Sequence, residues 1–122
     1  MKFMTMVKSA ENAGPPPQEL MAAMGKFIEE AMKAGVLVDT GGLLPSAMGA
    51  RVRLSGGKVT VIDGPFTEAK EVIGGYAVFN VKSKQEVIEW AKRFIDLHKQ
   101  HWKGWEGESE IRQLAEYSPP AE

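Results

Sequence analysis

The chain has 122 residues, of which 43% are hydrophobic and 25% charged, and it contains no cysteine. A chain of this length fits one globular domain, and the lack of cysteine excludes disulfide bonds, thiol catalysis and a thiolate-bound metal. Fifteen basic against sixteen acidic residues give a net charge of -1, so no overall positive field exists to attract nucleic acid or anionic lipid. We therefore expect a single domain over residues 1–122, with neither nucleic acid nor a membrane as partner.

The first residues predict a strand rather than an export signal. Met1 to Lys8 lack the uninterrupted apolar stretch that a signal peptide needs, and no later run has the length of a membrane span. The expected location is therefore the cytoplasm. Apolar residues occupy both faces of this strand: Phe3, Thr5 and Val7 on one, Met4 and Met6 on the other.

A helix follows the break at Gly14 and the three prolines. Its apolar residues recur at helical spacing: Leu20, Met24, Phe27, Ile28 and Ala31. Lys33 in the last turn and Gly35 beyond it suit a helix C-terminus. A short apolar strand is predicted over Val36 to Val38, and we expect it to end in a turn-rich segment from Gly41 to Gly49.

The next segment predicts a β-hairpin. Arg51 to Ser55 and Lys58 to Ile62 alternate apolar and polar residues around the two glycines Gly56 and Gly57. A two-residue turn fixes the register and defines the facing pairs: Leu54 with Val59, Val52 with Val61, Arg53 with Thr60, and Ala50 with Asp63. Asp63 then shares the apolar side of the hairpin, whereas the arginines take the other side, which we interpret as a solvated face.

The second half predicts one more strand–helix–strand unit. Tyr76 to Val81 is apolar on both faces apart from Asn80. Ser83 and Glu86 form a capping box that opens a helix with this apolar stripe: Val87, Ala91, Phe94, Ile95 and His98. A loop over Trp102 to Gly107, a strand over Glu108 to Ala115 and a tail containing Pro119 and Pro120 complete the chain.

This order of elements predicts an α+β fold of ferredoxin-like type, a split βαβ with an inserted β-hairpin. Two helices cover only one face of such a sheet, whereas several strands are apolar on both faces. A homodimer that packs sheet against sheet is the simplest cover for the second face.

The segment from Asp63 to Glu71 reads DGPFTEAKE, and we call its first four residues, Asp63–Phe66, the DGPF turn. Other distinctive groups are spread over nearly the whole chain: Lys33–Gly35, Gly41–Leu43, Pro45–Ser46, Arg51–Lys58, Gly74–Tyr76, Glu89–Ala91 and Glu110–Arg112. Together they identify a resemblance to the DGPF-motif branch of the YCII-related proteins. The resemblance implies a ferredoxin-like fold, a dimeric α+β barrel and a cleft between sheet and helices, without a settled activity.

The better-understood YCII proteins have a suspected catalytic pair, a histidine on the first helix with an aspartate. Positions 18 to 34 of this chain contain no histidine, so the resemblance does not carry that pair over. The two histidines, His98 and His101, lie three apart on the second helix. Two candidate ligands do not make a metal site, and histidines also suit the C-terminal end of a helix dipole. We expect neither a metal nor a cofactor.

Asp63 has two interpretations. It is a structural turn residue, because aspartate bonds nearby amides, Gly64 is permissive and Pro65 presets its own φ. Alternatively, it is a cleft carboxylate and a candidate proton acceptor, with a pKa raised by burial and by Glu68 or Glu71. Two neighbours have their own expected roles: Lys70 opposes such a rise, and Phe66 anchors the loop or contacts a ligand.

Arg112 shares a strand face with Glu110 and offers a fork of donors to a carboxylate. That carboxylate belongs either to a structural ion pair, with Glu68 or Glu71 as the expected partners, or to a ligand. The structural pair is the commoner arrangement.

Two functional hypotheses follow. The first is a lyase or isomerase type of enzyme acting on a small anionic molecule, with Asp63 as the base and Arg112 or Lys70 holding the substrate. Its predicted ligand-binding residues surround the turn or face it: Gly64, Pro65, Phe66, Glu68, Lys70, Glu71 and Arg112. The alternative is a non-catalytic ligand-binding or regulatory module, which is motivated by the missing histidine and by the co-occurrence of the resembled family with extracytoplasmic-function sigma factors. A purely structural dimer is a third interpretation.

Overall fold

The computed structural model describes residues 1–116, so the predicted tail at Pro119 and Pro120 lies outside the described residues. The chain forms eight regular elements: β1 (Lys2–Ser9), α1 (Gln18–Lys33), β2 (Leu37–Gly42), β3 (Ala50–Ser55), β4 (Lys58–Asp63), β5 (Val72–Asn80), α2 (Lys84–His101) and β6 (Gly107–Gln113). Two short 3₁₀ turns lie in the connections, at Glu11–Ala13 and Ser46–Met48.

Four strands form one antiparallel sheet in the order β2-β5-β1-β6, and β3 pairs only with β4. The two βαβ halves therefore interleave, with β1 and β5 side by side at the centre of the sheet. This arrangement confirms the predicted α+β, ferredoxin-like split βαβ with an inserted hairpin.

The core lies between the sheet and the two helices. Its fully buried residues come from both layers: Phe3 and Phe79 on the central strands, Val81 beyond β5, Phe27 and Ala31 on α1, and Val87 on α2. The rings of Phe27 and Trp90 meet edge to face, with centroids 5.7 Å apart. The helix stripes predicted from 3.6-residue spacing are the faces that this core buries.

The helix ends follow from local chemistry. The Ser83 hydroxyl accepts a hydrogen bond from the Glu86 amide at 3.2 Å, which confirms the predicted cap of α2. Gly35, at φ 74°, ends α1 in the left-handed conformation that glycine adopts without strain.

The strands predicted over Val36 to Val38 and over Tyr76 to Val81 extend in the structure to include two glycine pairs. Gly41 and Gly42 belong to β2, and Gly74 and Gly75 belong to β5. A Cβ on Gly41 would lie 3.0 Å from the ring of Tyr76, and one on Gly75 would lie 3.1 Å from the Gly41 carbonyl oxygen. The glycines therefore allow β2 and β5 to pair closely under an aromatic ring, which explains why both strands extend further than predicted.

The sheet face away from the helices is mixed in character. Met4, Met6, Tyr76 and Val78 form a half-buried apolar centre on β1 and β5, as expected for strands apolar on both faces. The edge strand β6 instead presents charged side chains to this open face. No helix among residues 1–116 has both the length and the apolar character to cross a membrane.

Candidate functional site

The hairpin has the predicted register. Leu54 faces Val59, Val52 faces Val61 and Ala50 faces Asp63. We call the side that carries these alternate residues the hairpin face: Ala50, Val52, Leu54, Val59, Val61 and Asp63. Its four large aliphatic side chains are between 64% and 72% exposed. The carboxylate of Asp63 therefore lies at the end of a bare apolar surface.

The DGPF turn is fixed by the segment before the hairpin. The Gly64 amide donates a hydrogen bond to the Gly49 carbonyl at 2.9 Å, and the Phe66 amide donates one to the Ser46 hydroxyl at 3.1 Å. The Gly64–Pro65 peptide is cis. A Cβ on Gly64 would lie 1.7 Å from the Ser46 carbonyl oxygen, so only glycine fits there. Glycine is thus required for close packing of two loops.

Ser46 also ties the turn to the first loop. Its amide and its hydroxyl each donate a hydrogen bond to the carboxylate of Glu11, both at 2.5 Å. These two bonds favour the charged carboxylate and lower the pKa of Glu11. Glu11, Ser46 and the DGPF turn form one chain of contacts that holds the base of the hairpin against the domain.

Arg51 is held under the loop that follows the turn. Its guanidinium lies 3.8 Å from the ring centre of Phe66 and forms a salt bridge with Glu68. The pKa of Glu68 is lowered, first by a hydrogen bond that its carboxylate accepts from the Glu68 backbone N–H and second by the bond from Arg51. The prediction of a solvated arginine face is therefore wrong for half-buried Arg51, because Phe66 covers it, whereas Arg53 is exposed.

Asp63 and Lys70 are exposed to solvent in the single chain. Neither forms a side-chain hydrogen bond or salt bridge with any residue in the described part of the chain, 1–116. The burial that the acid–base interpretation of Asp63 requires is not supplied by residues 1–116.

The predicted residues Glu71 and Arg112 lie apart from the turn and from each other. Glu71 lines an open groove of about 680 Å³ at the end of α2, together with Lys99, Trp102 and Trp105. Asp63 does not line this groove, which adjoins the segment from Asp63 to Glu71 only through Glu71.

Arg112 lies on the open face of the sheet. The start of β6 at Gly107 is the end that lies near Glu71, and Arg112 is five residues, or about 17 Å, further along the strand. Its guanidinium pairs with Glu110 at 3.4 Å, and Lys8 reaches the same carboxylate at 3.2 Å. Bonds from Lys8 and then Arg112 lower the pKa of Glu110, and the bond to Glu110 raises the pKa of Lys8. Arg112 therefore belongs to a structural ion pair, although its carboxylate is Glu110 rather than Glu68 or Glu71.

The two histidines contact different residues and do not form a common site. His98 is 5% exposed and hydrogen bonds through Nδ1 to the Phe94 carbonyl at 2.9 Å, with its ring 4.5 Å from that of Trp105. Burial lowers the pKa of His98, and the bond to Phe94 opposes this only partly. His101 pairs with Glu19 on α1. Among residues 1–116 there is no group of three or more side chains placed to hold a metal ion.

The sequence does not predict one polar contact of the open sheet face, between Tyr76 and Asp39. The Tyr76 hydroxyl donates a hydrogen bond to the carboxylate of Asp39 at 3.1 Å on the open face of the sheet, and this bond raises the pKa of Tyr76. The two residues are 37 positions apart, so only the register of β2 against β5 brings them together. No local spacing signal indicates such a pair.

Comparison with known proteins gives two findings. The model of the YCII-related domain matches residues 1–95, a range that contains the DGPF turn but ends before His98 and Arg112. An uncharacterized protein of Rhizobium meliloti (strain 1021) is 31% identical over 102 residues, which cover 84% of this chain and 75% of that protein.

Proposed function

The chain belongs to the YCII-related family, and from that premise we propose that it is a member of the DGPF-motif branch that binds a small anionic molecule beside the turn at Asp63. The observation that carries this proposal is a contrast within the turn. Gly64 and Phe66 are fixed by Ser46, while the Asp63 carboxylate they position is exposed. A rigid support under an uncommitted polar group is what a binding site requires.

The preference for an anion rests on Lys70, which follows the turn by four residues. Lys70 is exposed and has no salt-bridge partner within residues 1–116. It is available to a carboxylate or phosphate, whereas Arg51 is already committed to Phe66 and Glu68. The exposed arginine of the hairpin, Arg53, lies on the opposite side from Asp63.

The reaction class that suits this site is a lyase or isomerase step with Asp63 as the base. The carboxylate would accept a proton from a carbon next to the anionic group of the substrate, which Lys70 would hold. Such a role requires water to leave Asp63 when the substrate binds.

A regulatory, non-catalytic ligand-binding domain is the second candidate, in keeping with the sigma-factor association of the resembled family. The position of His98 favours this candidate. The ring is packed between Phe94 and Trp105, so it does not replace the histidine that α1 lacks.

We also propose that the working unit is a homodimer. The chain exposes 8870 Å². A folded monomer of 13.4 kDa exposes about 6,500 Å², so the excess is about 2,400 Å². Stable dimers bury surface on this scale. The apolar centre of the open sheet face, around Met4 and Val78, supplies part of the surface that such a dimer would cover.

The binding proposal is tested by thermal shift. Small mono- and dicarboxylates and phosphate esters are screened against the wild-type protein, Asp63→Asn, Lys70→Gln and the matched control Asp96→Asn on the exposed side of α2. We expect at least one anion to raise the melting temperature of the wild type and of Asp96→Asn, and to have less effect on the other two variants. Equal shifts in all four proteins would reject the site at Asp63. Turnover of the bound anion would identify an enzyme, whereas binding without turnover would identify a regulatory module.

A further inference from the structure

The hairpin face is an apolar surface that residues 1–116 leave bare. Val52, Leu54, Val59 and Val61 are all at least 64% exposed. Leu44 and Met48, in the loop that holds the DGPF turn, extend the same exposed stretch of chain. Of the thirteen large hydrophobic residues that are exposed within residues 1–116, seven lie between positions 43 and 61, so the exposure is concentrated rather than scattered.

Nothing within residues 1–116 covers this face. Strands β3 and β4 pair with each other and make no substantial contact with either helix or with the four-stranded sheet. An isolated two-stranded hairpin is marginal in water, and an amphipathic one gains stability only when its apolar side packs against another layer. The regular alternation of the hairpin therefore indicates a cover from outside residues 1–116.

We infer that a second copy of this chain packs on the hairpin face and covers Asp63, so that the binding site is completed by two chains. The excess surface of about 2,400 Å² indicates that the covering molecule is large, as a second copy of the chain is. An allowance of about 1,000 Å² for the six residues beyond 116 still leaves an excess of about 1,400 Å² in each copy. Two copies together would then bury the area of an obligate dimer, which a small peptide partner would not.

The consequence for Asp63 follows from strand geometry. Asp63 and Val61 lie on the same side of β4, about 7 Å apart along the strand. A protein surface that covers Val61 reaches Asp63 as well, whereas Thr60, between Val61 and Val59 on the opposite side, remains in water. The second copy thus supplies the wall that the single chain lacks. The assignment of the covered space as a ligand site rests on the function proposed above, but the contact itself does not.

The absence of cysteine makes a direct test simple. Single cysteines are introduced as Val61→Cys, Asp63→Cys and the matched control Thr60→Cys, and the rate of maleimide labelling is measured on the folded full-length protein. Sedimentation velocity reports the oligomeric state of each variant. We expect labelling at 61 and 63 to be at least tenfold slower than at 60, and we expect dilution into monomer to abolish the difference.

Each other outcome overturns the inference. Equal labelling at all three positions would show that the hairpin face is bare in solution. Protection of 61 without protection of 63 would show an interface that leaves Asp63 open, so the site would not be shared. Protection that persists in a monomer would place the cover within one chain. Ligand binding is measured separately by the thermal-shift comparison of wild type and Asp63→Asn, so failure of the ligand proposal would leave the protection pattern unchanged.

Discussion

Two regions of this protein pair apolar residues across antiparallel strands with opposite results. In the main sheet, Phe3 faces Phe79 across two paired strands, and the side chains are 2% and 3% exposed. In the hairpin, Val52 faces Val61 in an equivalent antiparallel pair, and the side chains are 72% and 67% exposed. Alternation therefore tells which residues share a face, but the covering layer decides whether that face becomes a core.

The two regions differ in whether the chain provides a covering layer. In the main sheet, β1 and β5 are each followed by a helix, and the apolar stripes of the two helices cover one face of the sheet. The hairpin is an insertion between two βαβ halves and brings no helix of its own. Residues 1–116 provide no layer for its apolar side, which is why we propose a contact between chains at the hairpin.

The largest expected effect distinguishes the two regions directly. Phe79→Ala should lower the free energy of unfolding by about 3–5 kcal/mol, because it removes a buried ring and leaves a cavity in the core. Val61→Ala, at a position exposed in the single chain, should change the monomer by less than about 0.5 kcal/mol. Urea unfolding of both variants at a concentration that keeps the chain monomeric provides the comparison. Similar losses for the two would mean that the hairpin face is already covered within one chain.

The second effect concerns the junction between the regions. Gly64→Ala should cost about 1–3 kcal/mol, because its Cβ would overlap the Ser46 carbonyl oxygen and force the two loops apart. Gly25→Ala is a matched control within α1, where an added Cβ meets nothing within 4 Å and the substitution should stabilise by about 0.4–1 kcal/mol. Thermal unfolding measures both. A tolerated alanine at 64 would show that the loops are not packed as described.

The sequence predicted the parts of the structure that depend on local chemistry. The hairpin register followed from the two-residue turn at Gly56 and Gly57, and the helix faces followed from residue spacing. The predicted bounds of β2 and β5 were too short, because a glycine that ends a strand and one that admits a neighbouring strand look alike in a single sequence. Contacts such as Tyr76 with Asp39 depend on register between distant strands, which local spacing does not encode.

The candidate site was predicted less completely than the fold. The DGPF turn was recognised as unusual, but its dependence on Ser46 and Glu11 was not, since those residues lie in two other loops. Arg112 was grouped with the turn because its side-chain chemistry fits an anion. The sheet order instead places β6 at the edge beyond β1, where Glu110 neutralises Arg112. Chemistry alone therefore indicated candidates, and topology decided which of them meet.

A smaller effect concerns the end of the core at His98. Burial lowers the pKa of this ring below its usual 6.5, so the unfolded chain binds more protons than the folded chain between the two pKa values. Stability should therefore fall as the pH drops below about 6.5 and level off below the folded pKa. His98→Phe keeps an aromatic ring beside Trp105 and should flatten this slope between pH 5 and pH 7. Unfolding curves in urea at several pH values would show it, and an unchanged slope in the variant would assign the effect elsewhere.

The smallest expected effect concerns Glu11, which links the domain to the base of the hairpin. The hydrogen bonds from Ser46 lower the pKa of this carboxyl, so its contribution is complete above the usual value of 4.5 and is lost as the pH falls through the folded pKa. Glu11→Gln and Ser46→Ala should each reduce the loss of melting temperature between pH 6 and pH 3. Ser46→Ala should have the smaller effect, because the Ser46 amide still donates to Glu11. The double variant should show no further reduction beyond that of Glu11→Gln, because both changes act on the same carboxylate. Additive effects would mean that the two residues act separately, and the hairpin would then be held by the glycine contact and Arg51 alone.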